Sequence, residues 1–280
     1  MKDNVVDFET EYFLKKQKEA HVAFDQNDFN KTLAIIAEPI KKIEEINETE
    51  VYCPQNVFDA AIFLNYLGKP VKQTNFSKVN YYDFYMMEGS SLFNLEYKKE
   101  ARDFFRKAIK LNPCGISARI LELLISVELD DYENFLENIQ DALFFVYDRE
   151  NMSLVYKLAG DYLLHIGDHE LGIVAYHLSL LYKLDDTVAN LVKTVGQELN
   201  IDIDSQDWLS ETYLKKFHNT YKIPIMPNEK LITLAKAMGK EAQIKKSYKV
   251  ALFVYKIAYE LTYEESILKT IEYIEGMIKK

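Results

Sequence analysis

His165, His169 and His177 are the residues whose spacing first suggests chemistry, because gaps of four and eight could bring imidazoles onto one metal ion. Gly167-Asp168 reads as a turn, however, which puts His165 and His169 on different helices. No Glu stands beside them in an H-E-x-x-H arrangement. They read as turn and surface histidines. Cys53 and Cys114 lie far apart, each next to a proline, with neither a CxxC spacing nor a disulfide framework. Cys114 follows Pro113 in a turn with no histidine expected at hand to deprotonate it. The pairs Asp130-Asp131 and Asp185-Asp186 fall at turns, where a short carboxylate caps the next helix in preference to binding an ion or moving a proton. The lone Trp208 is expected to pack within its own hairpin. A G-x-S-x-G elbow, a phosphate-binding glycine loop and a G-x-G-x-x-G turn are all missing. The expectation is therefore a protein that is not an enzyme, with no catalytic residue, no cofactor and no metal.

The chain that must position these residues has 280 of them, 48% hydrophobic and 28% charged, which is enough apolar surface to fold. Only 9 Gly and 6 Pro punctuate it, a composition suited to long helices and short turns. The formal net charge of −10 is unevenly spread: residues 1–200 hold 21 basic and 33 acidic residues (−12), residues 201–280 hold 13 and 11 (+2). So acidic a body argues against general nucleic-acid binding, which needs a dense basic face. The one basic cluster, Lys236, Lys240, Lys245, Lys246 and Lys249, reads as a solvated helix edge and turn rather than a phosphate contact. The start lacks an apolar leader and no run of about 18 apolar residues occurs, so a cytoplasmic chain with no membrane contact is expected.

A repeat organises the sequence. Ala101, Phe105 and Ala108 recur as Phe135, Ile139 and Ala142, each displaced by 34 residues (135−101, 139−105, 142−108). A period of that size predicts stacked helical hairpins. In residues 82–115 the first helix carries Tyr85, Gly89 and Leu92 on one face, the second carries Ala101, Phe105 and Ala108, and Pro113 ends it. Small residues at the crossing let two helices close to about 8–10 Å while the large ones fill the flanks.

This unit resembles the tetratricopeptide repeat, whose large-small-large spacing, Ala-x3-aromatic-x2-Ala and closing Pro match Tyr85, Gly89, Leu92, Ala101, Phe105, Ala108 and Pro113. Glu88 departs from the pattern, since the family usually has Leu there. Residues 153–186 match again through Tyr156, Ala159, Gly160, Leu163, Gly172, Tyr176 and Ser179, with Leu184 where the proline would stand. Residues 232–263 match through Ile232, Ala235, Met238, Gly239, Ala242, Ala251, Tyr255 and Ala258. Residues 116–149 and 187–221 read as degenerate units, with a three-residue slip near Tyr147-Asp148-Arg149 and helices near Val188–Leu199 and Gln206–Tyr221. The resemblance implies an all-α fold, a right-handed solenoid of antiparallel hairpins with roughly twelve to fourteen helices. Residues 1–81 are expected to be helical and packed on it: Phe8–Phe24 and Phe29–Ile46 joined at Asn27-Asp28, then Val57–Leu67, then a loop over Gly68–Lys78. Ile223–Pro227 reads as a kinked connection, and residues 264–280 as a capping helix.

In the family, the second, fifth, ninth and twelfth repeat positions face a concave groove. Carried over by resemblance, these are Asp83, Met86, Ser90 and Phe93; Ser117, Ile120, Leu124 and Val127; Leu154, Lys157, Asp161 and Leu164; and Thr233, Lys236, Lys240 and Gln243. The paired Lys, Arg and Asn with which the best-known subclass grips a peptide carboxylate are missing. What remains is a groove with an apolar middle and a basic end at Lys236 and Lys240. Either the N-terminal helices cover the apolar part, or a hydrophobic or amphipathic peptide does. The expected role is a scaffold for protein–protein interaction that binds a protein or peptide partner. The alternative is a peptide-sensing regulator acting on another chain. No DNA-binding helix pair is apparent before residue 82, which makes that alternative depend on an output in a separate chain.

Overall fold

The computed structural model describes residues 8–45, 51–67 and 75–278. Most of the loop expected over Gly68–Lys78, and the end expected for the second helix at Ile46, lie outside them. Among the described residues fourteen α-helices follow one another: α1 (Phe8–Asp25), α2 (Phe29–Glu44), α3 (Val57–Tyr66), α4 (Tyr81–Asn94), α5 (Lys98–Leu111), α6 (Ile116–Glu128), α7 (Phe135–Phe145), α8 (Arg149–His165), α9 (His169–Tyr182), α10 (Asp186–Leu199), α11 (Glu211–Tyr221), α12 (Glu229–Ile244), α13 (Tyr248–Thr262) and α14 (Glu265–Ile278). The protein is all-α. The helices pack mainly as sequential hairpins, α1 on α2, α4 on α5, α8 on α9 and α12 on α13, with α14 against α13. The chain forms two compact units, Met1–Ile125 and Ser126–Lys280, and the division falls within α6.

Three of the hairpins close by one device. A Cβ built on Gly89 would lie 2.7 Å from the Phe105 ring; one on Gly160, 2.6 Å from Tyr176; one on Gly239, 2.7 Å from Tyr255. Each ring follows its glycine by 16 residues (105−89, 176−160, 255−239). The aromatic face therefore rests on bare backbone, an approach that any larger residue would block. In α1/α2 the corresponding positions hold Ala20 and Ile36, both fully buried, a smaller pair at the same spacing.

The turns repeat as faithfully as the crossings. Asn27, Glu96, Asp130, Gly167 and Lys246 all take positive φ, between 55° and 83°. At each, the next residue's N–H donates to a carbonyl five residues back: Asp28 to Ala23, Tyr97 to Leu92, Asp131 to Ser126, Asp168 to Leu163, Ser247 to Ala242. This is the closing bond of a Schellman cap. In two of these turns the following side chain caps the new helix as well, Asp28 accepting from the Lys31 N–H and Asp168 from that of Leu171. From Glu96 to Asp130 is 34 residues and from Asp130 to Gly167 is 37, so the three-residue slip is real. It is absorbed where α8 starts, with Asp148 accepting from the Asn151 N–H at 2.8 Å. Asp185 caps α10 as expected, accepting from Thr187 and Val188, and those bonds hold its carboxyl below the usual range.

Two local departures have clear causes. Val51–Tyr52 pairs in parallel with Asn75–Phe76, a two-residue bridge beside α3 that helical periodicity could not signal. The helix expected from Gln206 begins instead at Glu211. Upstream of it the chain makes a short 3₁₀ turn, and the Trp208 indole N–H donates to the Ile203 carbonyl at 2.9 Å. Trp208 is buried between Tyr213 of its own hairpin and His177 of α9, so it reaches beyond the hairpin expected to hold it.

The Nε2 of His177 is buried there without a hydrogen-bond partner, and burial pushes its pKa below the usual histidine value, against the pull of Asp207. A proton is then taken up more readily by the unfolded chain than by the folded one. Stability of the second unit is expected to be full above about pH 6.5 and to fall as pH drops through the folded-state value. Denaturant titrations at stepped pH check this; His177→Phe should flatten the decline.

Candidate functional site

In the first unit, Met86, Ser90 and Phe93 fall four and three residues apart and share one side of α4, each half-buried. Asp83 continues that side, and here α1 closes in. The Asp83 carboxylate accepts from Gln17 Nε2 at 2.6 Å and pairs with His21 Nε2 at 2.5 Å. Met86 packs against the core that Phe13, Ile36 and Ile40 share with α4. The N-terminal hairpin therefore takes up the start of this face, at Asp83 and Met86. Gln17 and His21 were not singled out in the sequence, although their four-residue spacing puts them on one side of α1. On α6, Ile120 is buried at 4% exposure and Leu124 is half-buried; Val127, also half-buried, already belongs to the second unit.

In the second unit, Leu154, Lys157, Asp161 and Leu164 run along α8. The Lys157 ammonium lies 2.7 Å from Asp161 Oδ2. The other oxygen, Oδ1, accepts from the Tyr176 hydroxyl at 2.7 Å. Tyr176 is the ring seated on Gly160, so the hairpin crossing itself aims the phenol at Asp161. Burial, and then that carboxylate, push the Tyr176 pKa up. The result is a fixed array: ammonium and carboxylate on one turn of α8, joined by a phenol from α9. Beside it lies a cleft of about 120 Å³ walled by Leu154, Lys157, Lys183 and Asp185, with Ser153 and Ser179 hydroxyls 3.0 Å apart at its base. Leu164 turns away, packing with Tyr176, Val188 and Val192 and lying 3.0 Å from where a Gly172 Cβ would stand. On α12, Lys236 is half-buried and pairs with Glu264 at 2.5 Å, and Lys240 is exposed.

The reactive residue types are placed apart. His165 lies tilted against the Tyr132 ring and 3.5 Å from Asp130, while His177 stacks on Trp208. Among the described residues no three His, Cys, Asp or Glu side chains converge on a point that could hold a metal ion. Burial pushes the Cys114 thiol up to about 12 and raises that of Cys53, so both are held as thiols. No described helix is long and apolar enough to cross a membrane. Compared with known proteins, the chain matches no family model and no curated protein.

Proposed function

We propose that the chain is a tetratricopeptide-like interaction scaffold that acts without catalysis, holding a peptide segment of a partner protein against the inward sides of its first helices. One observation carries the reading: the glycine-on-ring crossing at Gly89/Phe105, Gly160/Tyr176 and Gly239/Tyr255, repeated at one spacing with one kind of turn. A scaffold so regular presents equivalent helix faces, and function belongs to what those faces carry. Here they carry the half-exposed Phe93, Leu124 and Leu154, apolar groups that gain by being covered. They also carry Ser90 and the Lys157–Asp161–Tyr176 array, which offers both a donor and an acceptor to a polar segment.

Photo-crosslinking tests this. A benzophenone amino acid placed at Phe93, Leu154 or Lys240 of the full chain is expected to capture a partner segment from native extract. Placed at Lys256 or Glu272, on other faces, it should capture that segment about tenfold less. Equal capture at all five positions would remove the basis for an inward site.

A further inference from the structure

We infer that the outer face of the α1/α2 hairpin is a second docking groove, one that takes an acidic amphipathic helix from a partner protein. A cleft of about 570 Å³ runs between the two helices, lined by Lys15, Lys18, Glu19 and Val22 of α1 and Lys31 and Ile35 of α2. At about 100° per residue, Lys15, Lys18 and Val22 lie opposite Phe13, Gln17 and Ala20 on α1. Phe13 and Gln17 are on the side that α4 occupies. The hairpin has thus used one side for its neighbour and shows the other to solvent, with Val22 52% exposed at its centre.

Charge says what the occupant is. The chain carries a net −10, yet this cleft holds three lysines and one glutamate. Glu19 is already engaged, 3.3 Å from Lys16 and 4.0 Å from Lys15. Among the described residues no carboxylate lies within ion-pair distance of Lys18 or Lys31. The lysine stems extend the apolar floor of Val22 and Ile35 while the ammonium groups form a rim. Apolar below and positive at the edges, the groove complements a helix with an apolar stripe flanked by carboxylates. A second copy seated by a two-fold axis would press lysine on lysine, which disfavours self-pairing. An extended segment is disfavoured too, because two helices offer it no free backbone donors; a helix brings its own bonds satisfied. From Lys15 to Val22 is about 10 Å of α1, the length of two turns of such a partner.

This goes beyond the inward faces proposed above, and the two can fail separately. The probe is a fluorescein-labelled synthetic peptide of about 14 residues, with leucines at i, i+3, i+4 and i+7 and glutamates on both flanks, titrated onto the full chain. A lysine-flanked twin is the comparison. The acidic peptide is expected to bind, more weakly as salt rises. Lys18→Glu/Lys31→Glu should cost about tenfold in affinity, in line with the loss of two exposed pairs. Val22→Asp should cost at least as much, while crosslinking through Phe93 stays unchanged. Three results would each overturn the proposal: equal binding of the lysine twin, self-association of the chain that Val22→Asp relieves, or probe binding only after residues 1–7 are removed. Binding that survives both sets of substitutions would do the same.

Discussion

Gly160→Ala is expected to destabilise the protein by roughly 2–3 kcal/mol, although alanine is the better helix former by about 1 kcal/mol. The added methyl would lie 2.6 Å from Cε1 and 2.7 Å from Cδ1 of Tyr176. That ring cannot step aside: it is 1% exposed, and its hydroxyl is tied to Asp161. Either α8 and α9 move apart, uncovering the apolar surface between them, or the ring leaves a favoured rotamer. Gly89→Ala and Gly239→Ala meet Phe105 and Tyr255 in the same way and should fall in the same range. Gly276→Ala is the control of opposite sign. It lies within α14 with no atom within 4 Å of the new Cβ, so it should stabilise by about 0.5–1 kcal/mol. Urea unfolding of the four variants reads the contrast directly. Trimming the ring should expose the coupling: in Gly160→Ala/Tyr176→Leu the two losses are expected to add to less than their sum. A Gly160→Ala protein as stable as Gly276→Ala would mean that the crossing is not fixed by the ring.

These crossings were legible in the sequence because they depend on short-range spacing. Gly89, Gly160 and Gly239, each 16 residues before a ring, mark hairpins whichever residues surround them. The N-terminal hairpin could be read from Asn27-Asp28, since a left-handed residue followed by a capping carboxylate closes that turn as Gly167-Asp168 closes the later one. Contacts between elements distant in the chain left no such trace. The Asp83 partners lie 62 and 66 residues away, and nothing in the α4 pattern indicates that α1 would supply them. Trp208 escaped for a related reason. A lone large apolar residue declares that it will be buried, but its partner here, His177, sits two elements back. The α1/α2 cleft was hidden because its lysines, taken singly, look like any solvated helix edge. Only the fold brings Lys31 alongside Lys15 and Lys18. Local geometry is therefore encoded by spacing, and the character of each face by which helices the fold sets side by side.

Glu88 is where the two levels conflict, and it gives the other large expected effect. It occupies a position where the sequence resemblance calls for leucine, and the fold half-buries it: its Oε2 is enclosed with no hydrogen-bond partner. The cation that acts on it, Lys107 of α5, is committed to Glu44 at the end of α2, 2.5 Å away, and sits over the Phe104 ring at 4.6 Å. Burial pushes the Glu88 carboxyl up to about 7, with Lys107 drawing it down and Glu44 adding to the rise. The direction of the pH effect follows. Below the ordinary value of 4.5 the group is protonated in both states and contributes nothing. Between 4.5 and 7 the folded chain keeps a proton that the unfolded chain has released, so stability declines as pH rises, and above 7 the loss is complete. Because the side chain is only half-buried, solvent screening reduces the effect to roughly 2 kcal/mol. Glu88→Gln, which keeps the shape and removes the charge, should match the parent near pH 4.5 and exceed it by about that amount at pH 8. Glu88→Leu should be the more stable of the two throughout, since it also removes the unpartnered polar atom. Glu44→Gln supplies the decisive comparison. It frees Lys107 for Glu88, so the pH at which the parent loses stability should move down. A difference between parent and Glu88→Gln that stays flat from pH 4.5 to 8 would show that the carboxyl is not held neutral by the packing of α2, α4 and α5.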